Sequence, residues 1–461
     1  MIFITALFFT LWTTQASASP SETKLNVLDY GAKGDGKHIN TRAFQRAIQA
    51  CSELGGGTVV IPPGRFLTGT IQLRSHVSLY LEKGAVIKGI SDLKEYLPYI
   101  PTKEMGKYDN ADKYNWNRAL VLGVGVEDIS ISGEGVIDGD HVFDPAGEEK
   151  MRGPHTILFG ESRNITLSGI SILRAANYAF MAYEIENATF QHLTIKEGWD
   201  GIHIRGGKNI LIRNSGFYTG DDAIAGGYWE NMTITDCHIN SSCNGIRMIM
   251  PATGLEIARC RFQGPGLFPH RTSKESKRTN MLSAVLLQPG GWGVAPGRVD
   301  NVSIHDLEIE NVDNPFMFVL NQGNECGIIR VERVKAIGIG KSSSSVESWK
   351  GGRFNQLIFR DISMEYVGHN GPELQNIQVG QPHVDSRILP CWGWFIRNAR
   401  ELIMENVTLS YTGTELRPAF CLDNVAEATF QQVSCREVEG VKPVMLLNSG
   451  ELTDVDIVQF K

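Results

Sequence analysis

The sequence predicts an all-β chain wound as a parallel β-helix, a solenoid closed at its N-terminal end by one capping helix. Three observations predict it: a phrase that recurs with a period near 22 residues, apolar alternation inside each copy, and one amphipathic segment ahead of the copies. The phrase is an Asn or turn residue, then alternating apolar positions, then a second short apolar stretch. It stands as "RNITLSGISI" (163–172), "ENATFQHLTI" (186–195), "KNILIRNSGF" (208–217) and "ENMTITDCHI" (230–239). Weaker copies are "TGLEIARCRF" (253–262), "DNVSIHDLEI" (300–309), "NQLIFRDISM" (355–364), "RELIMENVTL" (400–409) and "AEATFQQVSC" (426–435). Asn164, Asn187, Asn209 and Asn231 follow one another at 23, 22 and 22 residues. Period-2 pieces rich in Ile, Val and Thr, punctuated by Gly and Asn, are short strands. The period is too short for a helix pair or a propeller blade. It fits one coil of a β-helix, whose inward residues are buried only by stacking on neighbouring coils. A leucine-rich repeat has a similar period, but its L-x-x-L-x-L pattern is absent.

Taken in order, the first residues, "MIFITALFFTLWTTQASASP", form an apolar run ending in Ala16-Ser17-Ala18. That reads as a signal peptide over 1–18, cleaved after Ala18, although the usual basic n-region is missing. The run is shorter than the roughly 20 residues of a spanning helix, and no later segment could cross a bilayer. Export to the periplasm or the medium is therefore expected, with residues 19–461 as a single β-helix domain. "NTRAFQRAIQACSEL" (40–54) places Ala43, Phe44, Ala47, Ile48 and Cys51 at helical spacing. Asn40 or Thr41 can cap it, and Gly55-Gly56-Gly57 stops it. This helix covers the open core of the first coil. Residues 56–89 begin the strands, and "VEDISISGEGVIDG" (126–139) is an early copy of the phrase. The segments 96–118, 264–295 and 338–352 break the period and are expected as long loops over one side.

Composition excludes some functions. Of the 461 residues 42% are hydrophobic and 21% charged, and the net charge is −7 with no basic run of note, which argues against nucleic-acid binding. Recognition of an anionic ligand must then come from local Arg and Lys. The eight cysteines follow no zinc-site spacing and are expected to be mostly buried small hydrophobes. A monomer without cofactor or metal is expected.

Coil phase points to the chemistry. Residues at one offset in successive coils stack roughly 4.8 Å apart. Thirteen residues after each phase-marking Asn stand Asn177, Asp200, Asp222 and Asn244, with Asp221 beside Asp222. Three carboxylates brought this close raise one another's pKa, a costly arrangement for a fold alone. It separates a protonated carboxyl from ionised ones, as acid/base chemistry on a glycosidic bond requires. The bland alternative is an Asn/Asp ladder that stabilises the turns or holds a structural cation. His203 and Arg247 each follow their own Asn by sixteen residues, which puts them on one face two coils apart, as ligand contacts. Among aromatics near this phase, Trp199 adjoins Asp200 and suits stacking on a sugar; Tyr178, Tyr228, Trp229, Trp116 and Trp292 are weaker candidates.

At these residues the sequence resembles glycoside hydrolase family 28, the polygalacturonase family of right-handed parallel β-helices. The likeness covers nearly the whole chain after residue 18. It is most specific in "DYGAKGDGKHINTRAFQRAIQAC…GGGTVVIPPGRFLTGTIQLRSHVSLYLEKGAVI", with "LPCWGWFIRNARELIMENVTLSY" toward the C-terminus. The family signature Asn-Thr-Asp-Gly, then Gly-Asp-Asp, reads here as "GWDG" (198–201) and "GDDA" (220–223). The resemblance implies Asp221 as the general acid, Asp200 and Asp222 as the holders and deprotonators of the attacking water, and inversion at the anomeric carbon. It also departs. Where the family has Gly-His-Gly one coil on, this chain has "CNGIRM" (243–248), with Asn244 in place of the His. No clean Arg-x-Lys motif follows, so Arg247, or the loop "HRTSKESKR" (270–278), would have to supply the anion contact.

The resulting expectation is a hydrolase of pectic-type polysaccharide or oligosaccharide, galacturonan or rhamnogalacturonan-like, that is exo-acting if the loops close one end of the groove. Two alternatives stay open. One is a Ca²⁺-dependent β-helix lyase, which eliminates across a uronate; the other is a glycan-binding β-helix without catalysis.

Overall fold

The computed structural model describes residues 23–108, 111, 113–272, 277–340, 342–377, 379–383, 387–449 and 454–461. The expected signal peptide, residues 1–18, lies outside them. The described strands form one continuous parallel sheet wound into coils. Strands in the middle of the stack pair with strands one coil before and one coil after. Phe180–Gln191 pairs with Ile202–Arg213, which pairs with Ile224–Thr235, which pairs in turn with Asn244–Met248 and Ala252–Ala258.

The inward positions stack in register. Ile157, Phe180, Ile202, Ile224, Ile246, Val285 and Phe316 form one column, and Leu167, Phe190, Ile212, Ile234 and Ile257 another, all buried. Every coil thus covers the apolar interior of its neighbour, which a single coil could not do alone. At the N-terminal end the helix Thr41–Glu53 closes the stack, burying the five residues whose spacing predicts it. Asn40 stands at its N-cap position but makes no cap bond. Its side chain instead accepts from the Lys33 amide and donates to the carbonyls of Lys33, His38 and Leu67, tying the helix entry to the first coil.

The phase-marking asparagines form a ladder of their own on the outer surface. Asn231 Nδ2 donates to Asn209 Oδ1, Asn209 to Asn187, Asn187 to Asn164, and Asn164 to Asp128. All four asparagines are left-handed, with φ between 53° and 55°. Asn tolerates that conformation better than other side-chain-bearing residues, which explains its recurrence at this turn.

Two expectations need correction. The segments 264–295 and 338–352 are not wholly loop: each contains a strand of the sheet, Ser283–Leu287 and Ser344–Ser348. Both strands are buried throughout, so neither shows the in/out alternation by which strands are recognised. The second correction concerns phase. The stretch from Leu173 to Phe180 is one residue longer than the matching stretch from Lys196 to Ile202. Tyr178, not Asn177, is therefore level with Asp200. All eight cysteines are buried and unpaired.

The Asn ladder makes a prediction. Asn209→Ala keeps the Cβ in a left-handed backbone but loses the polar end and with it two rungs, which should cost about 1–2 kcal/mol in all. Asn209→Gly should lose less. Urea denaturation midpoints of the two variants would check the order.

Candidate active site

Asp200 lies in the turn before the strand Ile202–Arg213, and the pair Asp221–Asp222 in the turn before Ile224–Thr235, one coil on. Coil register brings them together: oxygens of Asp200, Asp221 and Asp222 lie within 4.8 Å of one another. The turn is tight. A Cβ on Gly220 would fall 2.4 Å from the Gly198 carbonyl oxygen and 2.9 Å from that of Pro269, so only glycine allows the neighbouring coil and loop to close on it.

Each carboxylate has its own surroundings. Asp222 Oδ1 accepts from the Asn244 amide (3.0 Å) and Asn244 Nδ2 (2.8 Å), and Oδ2 pairs with Arg247 Nη1 (3.0 Å). Asn244, at the phase of the family His, thus positions Asp222 as a donor. Asp221 faces His270 Nε2 at 3.4 Å and Arg152 Nη2 at 3.6 Å. Burial works against its ionisation, but the hydrogen bond and charge of His270, then Arg152 and Arg247, hold its carboxyl well below the usual range. Asp200 is the opposite case: burial first, then the charges of Asp221 and Asp222, push it well above. The environments thus pull the pKa values of neighbouring carboxyls apart, and in the free protein Asp200 rather than Asp221 is favoured in the protonated form.

His203 Nδ1 lies 2.6 Å from Asp200 Oδ2, and the ring stacks face to face on Tyr178, with 4.7 Å between centroids. His203 and Arg247 share one register line with Ala225 between them. Arg247 holds Asp222 through Nη1 only; its Nε and Nη2 have no hydrogen-bond partner among the described residues. That edge is unpaired but closed to solvent in the free protein; once exposed it is the fork with which an arginine grips a carboxylate in two places. Trp292, 61% exposed, stands 5.2 Å from the Arg247 guanidinium.

Two of the remaining expected residues serve differently from the sequence reading. Trp199 is fully buried and offers no open face to a sugar. Its Nε1 donates to Glu149 (3.0 Å), and its ring lies 5.0 Å from the Arg152 guanidinium. Asn177 reaches the site through Arg152 Nη1 (3.3 Å) rather than as a rung beneath Asp200.

Sequence reasoning missed Arg152, Glu149 and Arg205 and left His270 within a basic run. Arg152 and Glu149 come from 139–154, which carries no repeat and so no phase. The run 270–278 is visible as basic, yet only the fold shows His270 buried against Asp221. Arg205 was legible, two residues from His203 on the same strand face.

These side chains line a cavity of about 1210 Å³, walled also by Lys103, Tyr108, Trp116, Arg278 and Trp292. That exceeds the roughly 300–1,000 Å³ of a small-molecule pocket. Its rim comes from the loops that break the repeat. Two overlapping buried donor groups, Asp200–Asp221–Asp222 and Asp221–Cys243–His270, have the proximity to hold a cation. Arg152 and Arg247, however, already place positive charge against these carboxylates.

Fold and cleft define a right-handed parallel β-helix protein with three carboxylates at the centre, arginines against them, and a rim of both signs, Lys103, Lys113 and Arg278 with Glu104, Glu148 and Glu149. Residues 24–247 match the family model described as rhamnogalacturonase A/epimerase, pectate lyase-like. A probable polygalacturonase of Vitis vinifera is 25% identical over 448 residues, 90% of this chain and 77% of that protein. A solved Yersinia enterocolitica family 28 exopolygalacturonase superposes with a TM-score of 0.60 at 16% identity, covering 95% of this chain and 80% of that one. The plasmin and fibronectin-binding protein A of Streptococcus pneumoniae is 34% identical over 201 residues, 42% of this chain but 24% of that protein. The resemblance to the polygalacturonases of glycoside hydrolase family 28 thus extends over most of the chain.

Arg152 provides a stability test. It is buried and pairs with half-buried Glu149 and buried Asp221, each of which keeps one other partner, so Arg152→Met should cost about 1–3 kcal/mol by removing their cation. Because the folded Asp221 carboxyl is depressed, its share of that stability is present above the unfolded carboxylate pKa of about 3.9 and lost as pH falls. Melting curves should therefore show the gap between wild type and variant widest near neutrality and narrowing below about pH 4.

Proposed function

We propose that the chain is an exported glycoside hydrolase that cleaves α-glycosidic bonds in a uronate-bearing, pectic-type glycan by an inverting mechanism, acting at chain ends. One observation carries this reading: three buried carboxylates meet in a cavity also lined by Arg152, Arg247, Arg278, Lys103 and Lys113. A fold needs neither the clustered like charges nor the cations around them, whereas cleavage of an acidic sugar needs both. The catalytic unit is residues 19–461, acting as a monomer.

Asp221 is the general acid that protonates the leaving oxygen, and Asp200 and Asp222 hold and deprotonate the water. The nearest carboxylate oxygens are closer than the roughly 6.5–9.5 Å usual between the carboxyls of inverting pairs. A separation within 4.8 Å still admits one water bridging two carboxylates at about 2.8 Å from each. In the free protein Asp221 is held ionised by His270, Arg152 and Arg247. A uronate carboxylate paired with Nε and Nη2 of Arg247, which the side chain must turn to expose, offsets part of that attraction and raises Asp221 toward the protonated state. Loading of the acid then depends on an anionic sugar. Lys103, Tyr108, Trp116, Glu148, Arg278 and Trp292, all from segments that interrupt the repeat, rim the cavity, which favours a chain end over the middle of a polymer.

A binding protein without catalysis has one observation in its favour, the 34% identity to the pneumococcal protein, but that match spans less than half of this chain. Binding alone gives no reason for three buried carboxylates.

Asp221→Asn should lower kcat at least about 10²–10⁴-fold on acidic oligosaccharides while the circular dichroism spectrum stays that of the folded wild type. Undiminished turnover would remove Asp221 from the acid role. Proton NMR of the first-formed product should show the inverted anomer; a retained anomer means a covalent intermediate instead. A chelator should leave turnover unchanged, with no unsaturated, ultraviolet-absorbing product; the reverse result would support the lyase.

A further inference from the structure

Next to the carboxylates lies a buried chain of groups that the hydrolytic reading does not require. Arg205 Nε donates to His203 Nε2 at 3.1 Å, and His203 Nδ1 lies 2.6 Å from Asp200 Oδ2. All three residues are buried, and Tyr178 covers the His203 ring. His203 and Arg205 are two residues apart on one strand, hence on one face. The next coil presents Ala225 and Gly227 at their level, small residues that leave room for both side chains.

The donor order settles where the protons are. A guanidinium has donors only. The nitrogen facing Arg205 must therefore carry a lone pair, and the imidazole proton sits on Nδ1. Nδ1–H in turn can only donate, so Asp200 Oδ2 is an acceptor. We propose that Arg205 and His203 form a proton-placing relay, which keeps Oδ2 of Asp200 occupied and leaves Oδ1 as the only oxygen of that carboxyl that takes up or releases a proton. His203 is a positioning residue here rather than a sugar contact. The catalytic consequence rests on the hydrolase reading; the tautomer does not.

Asp200 is faced by Asp221, Asp222, Arg152 and Arg247, and His203 by Arg205, Arg247, His155 and Asp221. Burial, then Arg205 and Arg247, keeps His203 neutral well below the usual imidazole range, which is the state the relay requires.

The test uses the full chain labelled with ¹⁵N-histidine. Two-bond ¹H–¹⁵N correlations should report His203 as neutral and protonated on Nδ1 in wild type, and shifted toward the Nε2–H form in Arg205→Met. Arg205→Lys, which keeps the charge without the guanidinium fork, guards against a variant that fails to fold. A wild-type His203 protonated on Nε2 overturns the proposal whatever the activity.

In turnover assays His203→Phe keeps the stacked ring and loses the donor. Its kcat should fall about 10–100-fold, the worth of one hydrogen bond to a charged group, with KM little changed. Removing a donor from a carboxylate destabilises its ionised form, so the acid limb of the kcat profile should move to higher pH by about one unit or more. A loss of kcat with an unmoved acid limb would reduce His203 to a packing role and overturn the catalytic part. If no glycan is turned over at all, the hydrolase reading falls and the NMR result still decides the relay.

Discussion

The structure depends on in-register stacking of coils at the spacing of a parallel sheet. Each coil is too thin to bury its own interior, so the aliphatic columns exist only because a residue at one offset always meets its counterpart in the next coil. The same rule has no regard for charge. It stacks Ile on Ile in the interior and, with equal force, Asp200 under Asp222 at the turn.

That forced meeting explains the surroundings of the site. Left alone, the three carboxylates would repel and would not all stay ionised once buried. The protein answers with a different partner for each: Arg247 and Asn244 on Asp222, His270 and Arg152 on Asp221, His203 on Asp200. Because the partners differ, carboxyls of one chemical type acquire different affinities for a proton. Backbone stacking is thereby converted into chemical asymmetry, set in a cleft whose inner arginines, Arg152 and Arg247, face the carboxylates.

The coils and the loops divide the work. Coils provide the carboxylates and the residues aligned with them, His203, Arg205, Asn244 and Arg247. Interruptions of the repeat provide His270, Arg152, Glu149 and the walls of the cavity. A histidine that the family carries one coil above Gly-Asp-Asp is replaced in this chain by an amide at Asn244, while an imidazole reaches Asp221 from a loop. The departure in the repeat and the insertion outside it have to be read together.

Much of this was legible in the residues. Period and alternation predict the coils, helical spacing identifies all five buried residues of the cap, and phase alone unites Asp200, Asp221 and Asp222, since in a solenoid sequence offset is nearly spatial position. The limits have equally physical causes. One extra residue in the turn before Phe180 moves Asn177 off its rung, and strands buried throughout, such as Ser283–Leu287, lack the alternation that marks a strand. Tertiary structure alone decided that Trp199 is buried, that His270 and Arg152 converge on Asp221, and that Arg205 dictates the tautomer of His203. Loops without a repeat have no phase, and hydrogen-bond direction depends on which atoms finally face each other; neither is written in residue spacing.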